Sequence, residues 1–338
     1  MSRILQEFEG LKHVRMKLLI GGLAVGIGSG LVITTLRLCI VTMNGWMRGL
    51  LALAEEDTTG ILAYVAVMAL LGAAVALCSR LAPLTGGGGI PQVAAQLSGR
   101  ILMQWRRVLP AKFLGCLLTL GSGLTMGRLG PSVQLGAVVG QACGELAGRP
   151  LSERNFLLSS GAAAGLAASF NAPIAGVVFA LEGLHKSFSP IVLAGSTAAA
   201  FASAYIAASI MGIQPVLRIA GHELLPLGCY WLIVPLGLAT GLSGVLFNRC
   251  LLWSKALFGR MKLPWYLNGV VPFALTAAFC LMSPELFGNG EPMIFYPMGV
   301  NPPWGHLLRL YGLKLFLLAL AFGGGLPGGI FFPLLFLV

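Results

Sequence analysis

Main-chain amides at two glycine- and proline-rich segments are the groups in this 338-residue chain best suited to bind a ligand. Residues 121–131 read GSGLTMGRLGP and residues 323–333 read GGGLPGGIFFP, so both follow the pattern G-[SG]-G-L-x2-G-x3-P. In each, an irregular glycine segment runs into a proline and then an apolar stretch, as at a helix start with proline in its first turn. Such a start presents unpaired N–H groups and the positive end of a helix dipole. Two anion sites built from main-chain atoms are therefore predicted.

The two segments lie 202 positions apart, and this shift recurs elsewhere in the chain. It also matches a lysine and two glycines pairwise: Lys112 with Lys314, Gly86 with Gly288, and Gly88 with Gly290. Close helix packing through small residues would explain many glycines, but it predicts no common shift. The pattern therefore indicates an internal duplication. Duplicated halves with interrupted apolar segments are typical of transporters, whose broken helices meet near the bilayer midplane.

The elements that must position these amides are apolar helices. Hydrophobic residues make up 57% of the chain and charged residues 10%, whereas an ordinary soluble domain has about 25% charged residues. A membrane span needs about 20 mainly apolar residues. Eight stretches qualify: 18–43, 61–84, 110–126, 155–182, 188–212, 226–247, 265–283 and 306–325. The sequence thus predicts an all-α polytopic membrane protein with lipid as its solvent.

The basic charge of the chain fits a membrane topology better than a nucleic-acid partner. The net charge is +11, but no soluble module concentrates it on one face. Basic residues instead flank the spans: Arg3, Lys12, Arg15 and Lys17 before the first, Arg80 at the end of the second, and Arg100, Arg106 and Arg107 after it. Since such residues favour the cytoplasmic side, we predict a cytoplasmic N-terminal segment over 1–17. The transmembrane domain would cover 18–338, with a first half to about 215 and an incomplete second half from about 216.

The side chains give no sign of a metal site, a cofactor or an enzyme. Seven cysteines are scattered without a CxxC pair or neighbouring histidines, which predicts buried thiols rather than a disulfide framework. The four histidines lie in connections or at span ends. An intramembrane serine protease would require a histidine deep in a span, so that class is disfavoured.

The scarcity of acids inside the spans predicts the sign of the permeating ion. A cation pathway usually places carboxylates there, yet Glu182 is the clear candidate and Glu145 lies near the end of another stretch. Main-chain dipoles bind an anion modestly enough to release it, as conduction requires. Chloride or a similar small anion therefore fits this chemistry.

Four motifs, in order along the chain, resemble those of the CLC family of chloride channels and proton/chloride antiporters. Residues 87–91 (GGGIP), 127–131 (GRLGP) and 329–333 (GIFFP) are similar to its GSGIP, G(K/R)EGP and GxFxP signatures. Residues 161–183 are similar to its most recognisable internal segment. The resemblance implies an inverted, antiparallel repeat of broken helices within the voltage-gated chloride channel family. It also implies a homodimer with one ion pathway per subunit, and we expect it in the bacterial inner membrane.

Binding roles follow from the resemblance position by position. The amides of Ile330 and Phe331 would hold the central anion. Those around Arg128, Leu129 and Gly130 would frame the external site. All five roles belong to the main chain, so side-chain changes at these positions need not abolish them.

Three departures from the family pattern bear on mechanism. The family's gating glutamate, which also carries protons, is Leu129 here, and its second relay acid is Gly183, directly after Glu182. Because neither replacement can exchange a proton, both imply passive, uncoupled anion passage. The serine that contacts the central anion is Gly88, which weakens discrimination between chloride and nitrate. A proton-coupled antiporter that uses Glu145 or Glu182 is the alternative.

A further departure concerns length. By the shift of 202, the counterparts of 137–212 would fall at 339–414, past Val338, together with the family's tyrosine that contacts the central anion. The sequence therefore predicts an apparent C-terminal truncation. It would be either a fragment of a longer protein or a shortened, poorly functional product, and a non-conducting fragment is the second alternative.

Overall fold

The computed structural model describes residues 2–186, 188–213, 226–291 and 302–337. These residues are built almost entirely of helices. The α-helices are α1 (Ser2–Glu56), α2 (Thr58–Leu81), α3 (Ile90–Leu97), α4 (Trp105–Gly121), α5 (Leu129–Leu146), α6 (Leu151–Phe170), α7 (Pro173–Val178), α8 (Pro190–Met211), α9 (Ile233–Met261), α10 (Leu267–Met282), α11 (Trp304–Gly323) and α12 (Phe331–Leu337). A π-helical segment, Phe179–His185, continues α7, and short 3-10 helices occur at Pro83–Thr85, Leu227–Leu232 and Pro284–Leu286.

Five helical stretches in the described part of the chain are long and apolar enough to cross a membrane. They are Leu19–Glu56, Thr58–Leu81, Pro190–Met211, Leu227–Met261 and Trp304–Gly323. Two further apolar helices, Pro173–His185 and Leu267–Met282, are shorter. The chain is therefore a multi-pass membrane protein, as its composition predicts.

The prediction of one continuous span over 155–182 is wrong, because the helix breaks inside it. Helix α6 ends at Phe170. The next residue, Asn171, caps the C-terminus of the helix in the left-handed conformation, with φ of 58°. Ala172 precedes Pro173, and a residue before proline is disfavoured in helical geometry. A new helix, α7, then starts at Pro173. The break therefore adds a further interrupted helix to those that the glycine and proline pattern predicts at 121–131 and 323–333.

The chain divides into two compact units, each made of three stretches. The first comprises Met1–Cys39, Leu81–Leu114 and Arg128–Val216. The second comprises Ile40–Arg80, Gly115–Gly127 and Leu217–Val338. Helix α1 contributes to both units, since its residues 2–39 belong to the first and 40–56 to the second.

The core of the first unit lies around α5, of whose 18 residues 14 are buried. Helices α5 and α6 approach each other at a mutual glycine pair. A Cβ on Gly136 would overlap the carbonyl oxygen of Gly161, and a Cβ on Gly161 would overlap that of Gly136. Small residues thus let the two backbones touch, which is how membrane helices gain packing energy.

In the second unit, serine side chains tie the helices together. Ser254 Oγ donates to the carbonyl of Ala319 at 2.6 Å, which joins α9 to α11. Ser243 Oγ donates to the carbonyl of Leu337 at 2.5 Å and lies 2.7 Å from the hydroxyl of Tyr311. This second serine fixes the short helix α12, whose start is one of the predicted anion sites.

Candidate anion site

In the first unit, the start of α5 presents amides that the helix itself does not use. The first backbone bond of the helix runs from the amide of Ser132 to the carbonyl of Arg128, at 3.0 Å. The amides of Leu129 and Gly130 precede that bond, and Pro131 has no N–H group. Arg128 stands at the N-cap without a side-chain capping bond. These positions therefore have the geometry of a main-chain anion site.

The same unit brings Gly88 against Gly130. A Cβ on Gly130 would lie 2.5 Å from the carbonyl oxygen of Gly88. Only glycine permits this approach, so the first and second motifs of the resemblance, GGGIP and GRLGP, depend on each other sterically. Two residues predicted to contact anions are thereby placed side by side, and Leu129, between Arg128 and Gly130, is half-buried.

Gln134, which the sequence did not single out, fixes the glycine loop from α5. Its Nε2 donates to the carbonyl of Leu84 at 2.8 Å, and its side chain packs so closely on Gly89 that a Cβ there would overlap it. Gly89 has a φ of 94°, which favours glycine independently. A fully buried glutamine in a largely apolar helix is the signal that could have indicated this role.

Lys112 is fully buried and holds the same loop from α4. Its Nζ donates to the carbonyl of Thr85 at 2.8 Å and to that of Gly87 at 2.6 Å. An ammonium group inside a membrane protein is costly unless it is hydrogen-bonded, and the two carbonyls supply part of that compensation. Lys112 therefore sets the shape of the loop that carries Gly88, and it adds positive charge beside it.

In the second unit, the start of α12 repeats the arrangement at α5. The amide of Leu334 donates to the carbonyl of Ile330 at 2.9 Å, so the amides of Phe331 and Phe332 precede the helix bonds, and Pro333 follows. Ile330 is half-buried and Phe331 is 37% exposed. Its ring meets the buried ring of Phe332 edge to face, with centroids 6.3 Å apart. Ile330 and Phe331 thus occupy a helix start, as the resemblance implies.

Lys314 repeats the role of Lys112 in the second unit. It is also fully buried, and its Nζ donates to the carbonyls of Leu286 and Gly288 at 2.7 and 2.6 Å. The lysines are related by the shift of 202, which the sequence predicts.

The carbonyls that the lysines bind are related by a shift of 201, so the predicted pairing of Gly86 and Gly88 with Gly288 and Gly290 is wrong by one residue. Positive φ angles of the loop glycines give the same register: Gly87 and Gly89 correspond to Gly288 and Gly290. One additional residue between loop and lysine in the second half explains the difference.

Gly127 and Gly329, which are equivalent residues of the repeat, pair directly in the second unit. Each donates its N–H to the carbonyl of the other at 2.6 Å, which forms an antiparallel bridge. Antiparallel pairing of equivalent residues is expected of an inverted repeat. In sequence, each glycine is followed at once by a residue predicted to bind the anion.

Gly183, the position predicted for the relay acid, lies on the π-helical segment that follows α7. Glu182 and Gly183 are both exposed there. His185 ends the segment, and its Nε2 lies 2.7 Å from the hydroxyl of Ser159. π-Helical turns often occur at functional sites. Within the described residues, no group of three or more His, Cys, Asp or Glu side chains is placed to hold a metal ion.

Helix starts at repeated, interrupted apolar segments define a multi-pass membrane protein of the broken-helix, inverted-repeat class. The family model described as voltage gated chloride channel matches residues 66–337. The chain belongs to this family, the CLC family, which confirms the resemblance of its motifs. The family consists of channels and transporters for chloride and related anions, and it is not an enzyme family.

Curated relatives carry the name H(+)/Cl(-) exchange transporter ClcA. The protein of Citrobacter koseri is 35% identical over 77% of this chain, and that of Vibrio cholerae is 33% identical over 98% of it. The chain spans 56% and 73% of the lengths of these two relatives.

Solved structures confirm the fold. A slow cyanobacterial Cl-/H+ antiporter matches with a TM-score of 0.86 and 28% identity. The match covers 94% of this chain and 76% of the antiporter chain. A CLC-type fluoride/proton antiporter has a TM-score of 0.76 at 23% identity, with 94% of this chain and 78% of its own covered, which supports the fold alone. The predicted all-α CLC-type fold is therefore correct.

Proposed function

We propose that this protein provides a passive pathway for chloride or a similar small anion, as a channel or an uncoupled transporter. The observation that carries the proposal is Leu129 as the first residue of α5, at a helix start with unused amides. At that position an apolar side chain neither competes with an anion as a charged carboxylate nor carries a proton.

In this proposal the amides of Ile330 and Phe331 hold the central anion. Those around Arg128, Leu129 and Gly130 frame the external site. The buried ammonium of Lys112, bonded to the loop of Gly88, adds positive charge that favours an anion over a cation. Gly88 has only a hydrogen atom as its side chain and therefore no hydroxyl donor. Chloride and nitrate should consequently permeate with similar ease.

The names of the relatives favour a second candidate, a proton-coupled antiporter. Such a mechanism would need acids other than those at positions 129 and 183. Glu182, exposed on the π-helical segment, and Glu145, exposed at the end of α5, are the available carboxylates. Simultaneous recording of chloride and proton movement separates the two candidates.

The test is reconstitution of the chain in liposomes with simultaneous recording of chloride and pH. We expect chloride to move down its gradient without stoichiometric proton movement. A fixed ratio of protons to chloride would overturn the proposal in favour of the antiporter. Absence of any chloride flux from correctly folded protein would instead favour a non-conducting fragment.

We further propose a homodimer in the bacterial inner membrane, with residues 1–17 in the cytoplasm and lipid around the transmembrane domain. The basic residues in the N-terminal part of α1, in the connection before α4 and in the first turn of α4 support this orientation, and light scattering of the purified protein measures the oligomeric state. In this proposal the sequence boundary between the two halves of the repeat lies near residue 215. The protein needs no cofactor.

A further inference from the structure

A basic cavity of about 950 Å³ lies within the first unit, apart from the residues predicted to bind the permeating anion. Its wall is formed by the end of α3, the connection to α4, the start of α4, and the adjoining ends of α5 and α6. Four arginines line it: Arg100, Arg106, Arg107 and Arg154. Glu145 is the one acid among its lining residues, so the wall has a net charge of +3 (four positive and one negative).

The arginines are accompanied by a helix start. Helix α6 has 20 residues, and Leu151, its first residue, lines the cavity together with Arg154. Pro150 precedes it and provides no side-chain capping bond. Arginine binds phosphate with two parallel hydrogen bonds, and a helix start adds free amides and a favourable dipole. The combination matches a phosphate group better than a halide.

A buried glutamine in the wall indicates a second requirement of the ligand. Gln141 is only 8% exposed, and its Nε2 donates to the carbonyl of Met103 at 2.7 Å. Its Oε1 is buried without a partner in the part of the chain that the structure describes. Because an oxygen of this kind accepts but does not donate, a phosphate anion cannot satisfy it; a ligand hydroxyl can, once the side chain turns so that the buried oxygen faces the cavity.

Two of the arginines are positioned by their neighbours. Arg106 stacks over the ring of Trp105, 5.4 Å from its centroid. Arg154 donates from Nε to the carbonyl of Arg149 at 2.6 Å. Positioned guanidinium groups lose less conformational entropy on binding than free ones, which favours a bound ligand over loose attraction of counter-ions.

We propose that this cavity binds a phosphate ester that carries a free hydroxyl group. The phosphate contacts the arginines and the start of α6, and the hydroxyl donates to Gln141. The headgroup of phosphatidylglycerol and the soluble ester glycerol 3-phosphate share this chemistry. The two sources differ in whether the ligand arrives from the bilayer or from the aqueous phase.

The test uses the full chain in phosphatidylcholine nanodiscs and reads binding from the rise in Tm. Short-chain phosphatidylglycerol probes the lipid source and glycerol 3-phosphate the soluble source, and we expect a saturable rise with at least one of them. Phosphatidylethanol and ethyl phosphate, which keep the phosphate but lack the hydroxyls, should bind about five-fold more weakly because one hydrogen bond is lost.

Substitutions locate the site. Arg106→Gln with Arg107→Gln, both exposed and so harmless to the fold, should weaken binding about ten-fold or more. Arg106→Lys with Arg107→Lys keeps the charge but not the paired geometry, and should have an intermediate effect. The matched control is Arg80→Gln, because Arg80 also stacks on a tryptophan, Trp265 at 5.0 Å, and does not line the cavity.

The proposal fails if neither probe binds, or if Arg80→Gln weakens binding as much as the double substitution. It also fails if sulfate, which has no hydroxyl, binds as tightly as both esters, since the basic surface would then attract anions without selection.

Discussion

Leu129 is the residue whose side chain, in the proposed function, separates passive flux from gated flux. Leu129→Glu should place a carboxylate at the proposed external anion site, at the start of α5. When ionised, it competes with the anion, so chloride flux should be low at high pH and should rise as acidification protonates it. Chloride efflux from liposomes between pH 4 and 8 measures the effect.

Leu129→Gln is the control for this substitution, because glutamine has nearly the same shape as glutamate and does not titrate. Its flux should not depend on pH. A pH-independent flux in Leu129→Glu as well would show that position 129 does not face the anion.

Lys112 gives a prediction about stability. Lys112→Met removes the two hydrogen bonds that the charged ammonium group donates to the carbonyls of Thr85 and Gly87. We expect a loss of about 3 kcal/mol in the free energy of unfolding and a lower Tm. Lys255→Met, at an exposed lysine of α9, should change the free energy by less than about 0.5 kcal/mol. Equal Tm values for the two variants would contradict the assigned role.

At the scale of single residues, the sequence could predict the helix starts but not what holds them. Proline and glycine mark a helix start directly, and so positions 129–131 and 331–333 were predictable. The loop contacts of Gln134 and Lys112 join residues 25 to 50 positions apart, and no local pattern records such partners.

At the scale of elements, the contact between α5 and α6 depends on the glycine pair at its centre. Gly136→Leu should drive a side chain into the carbonyl of Gly161 and destabilise the protein by about 2–3 kcal/mol, as overpacking does. Thermal unfolding followed by gel filtration measures it. Gly45→Leu is the control, since a Cβ there meets nothing within 4 Å. A normal Tm for Gly136→Leu would mean that the two helices can separate without cost.

The elements also show where a repeat found in the sequence is reliable. The shift of 202 holds from Lys112 to the helix starts, because those segments have one length in both halves. It fails by one residue in the glycine loops, where the run GGGG accepts either register, and only backbone angles and lysine contacts decide. The break at Asn171 was missed because a window of apolar residues does not register a single residue in the left-handed conformation.

At the scale of the whole molecule, α1 and α2 predict on which side of the membrane their connections lie. Asp57 lies between these two spans, so Asp57→Cys should react with an impermeant maleimide added to intact cells. Gln104→Cys, in the connection before α4, should react only after the membrane is opened. Both variants require a background in which the seven native cysteines are replaced. The reverse labelling pattern would invert the proposed orientation.

The bridge between Gly127 and Gly329 has a consequence for biosynthesis. The two partners are 202 residues apart, and ribosomes add about 5–20 residues per second, so Gly127 waits roughly 10–40 s for its partner. Its N–H and C=O groups cannot remain unpaired in lipid during that interval. The first glycine segment must therefore stay in water or inside the insertion machinery until most of the second half has been made, and insertion of the early spans cannot by itself complete the proposed anion pathway.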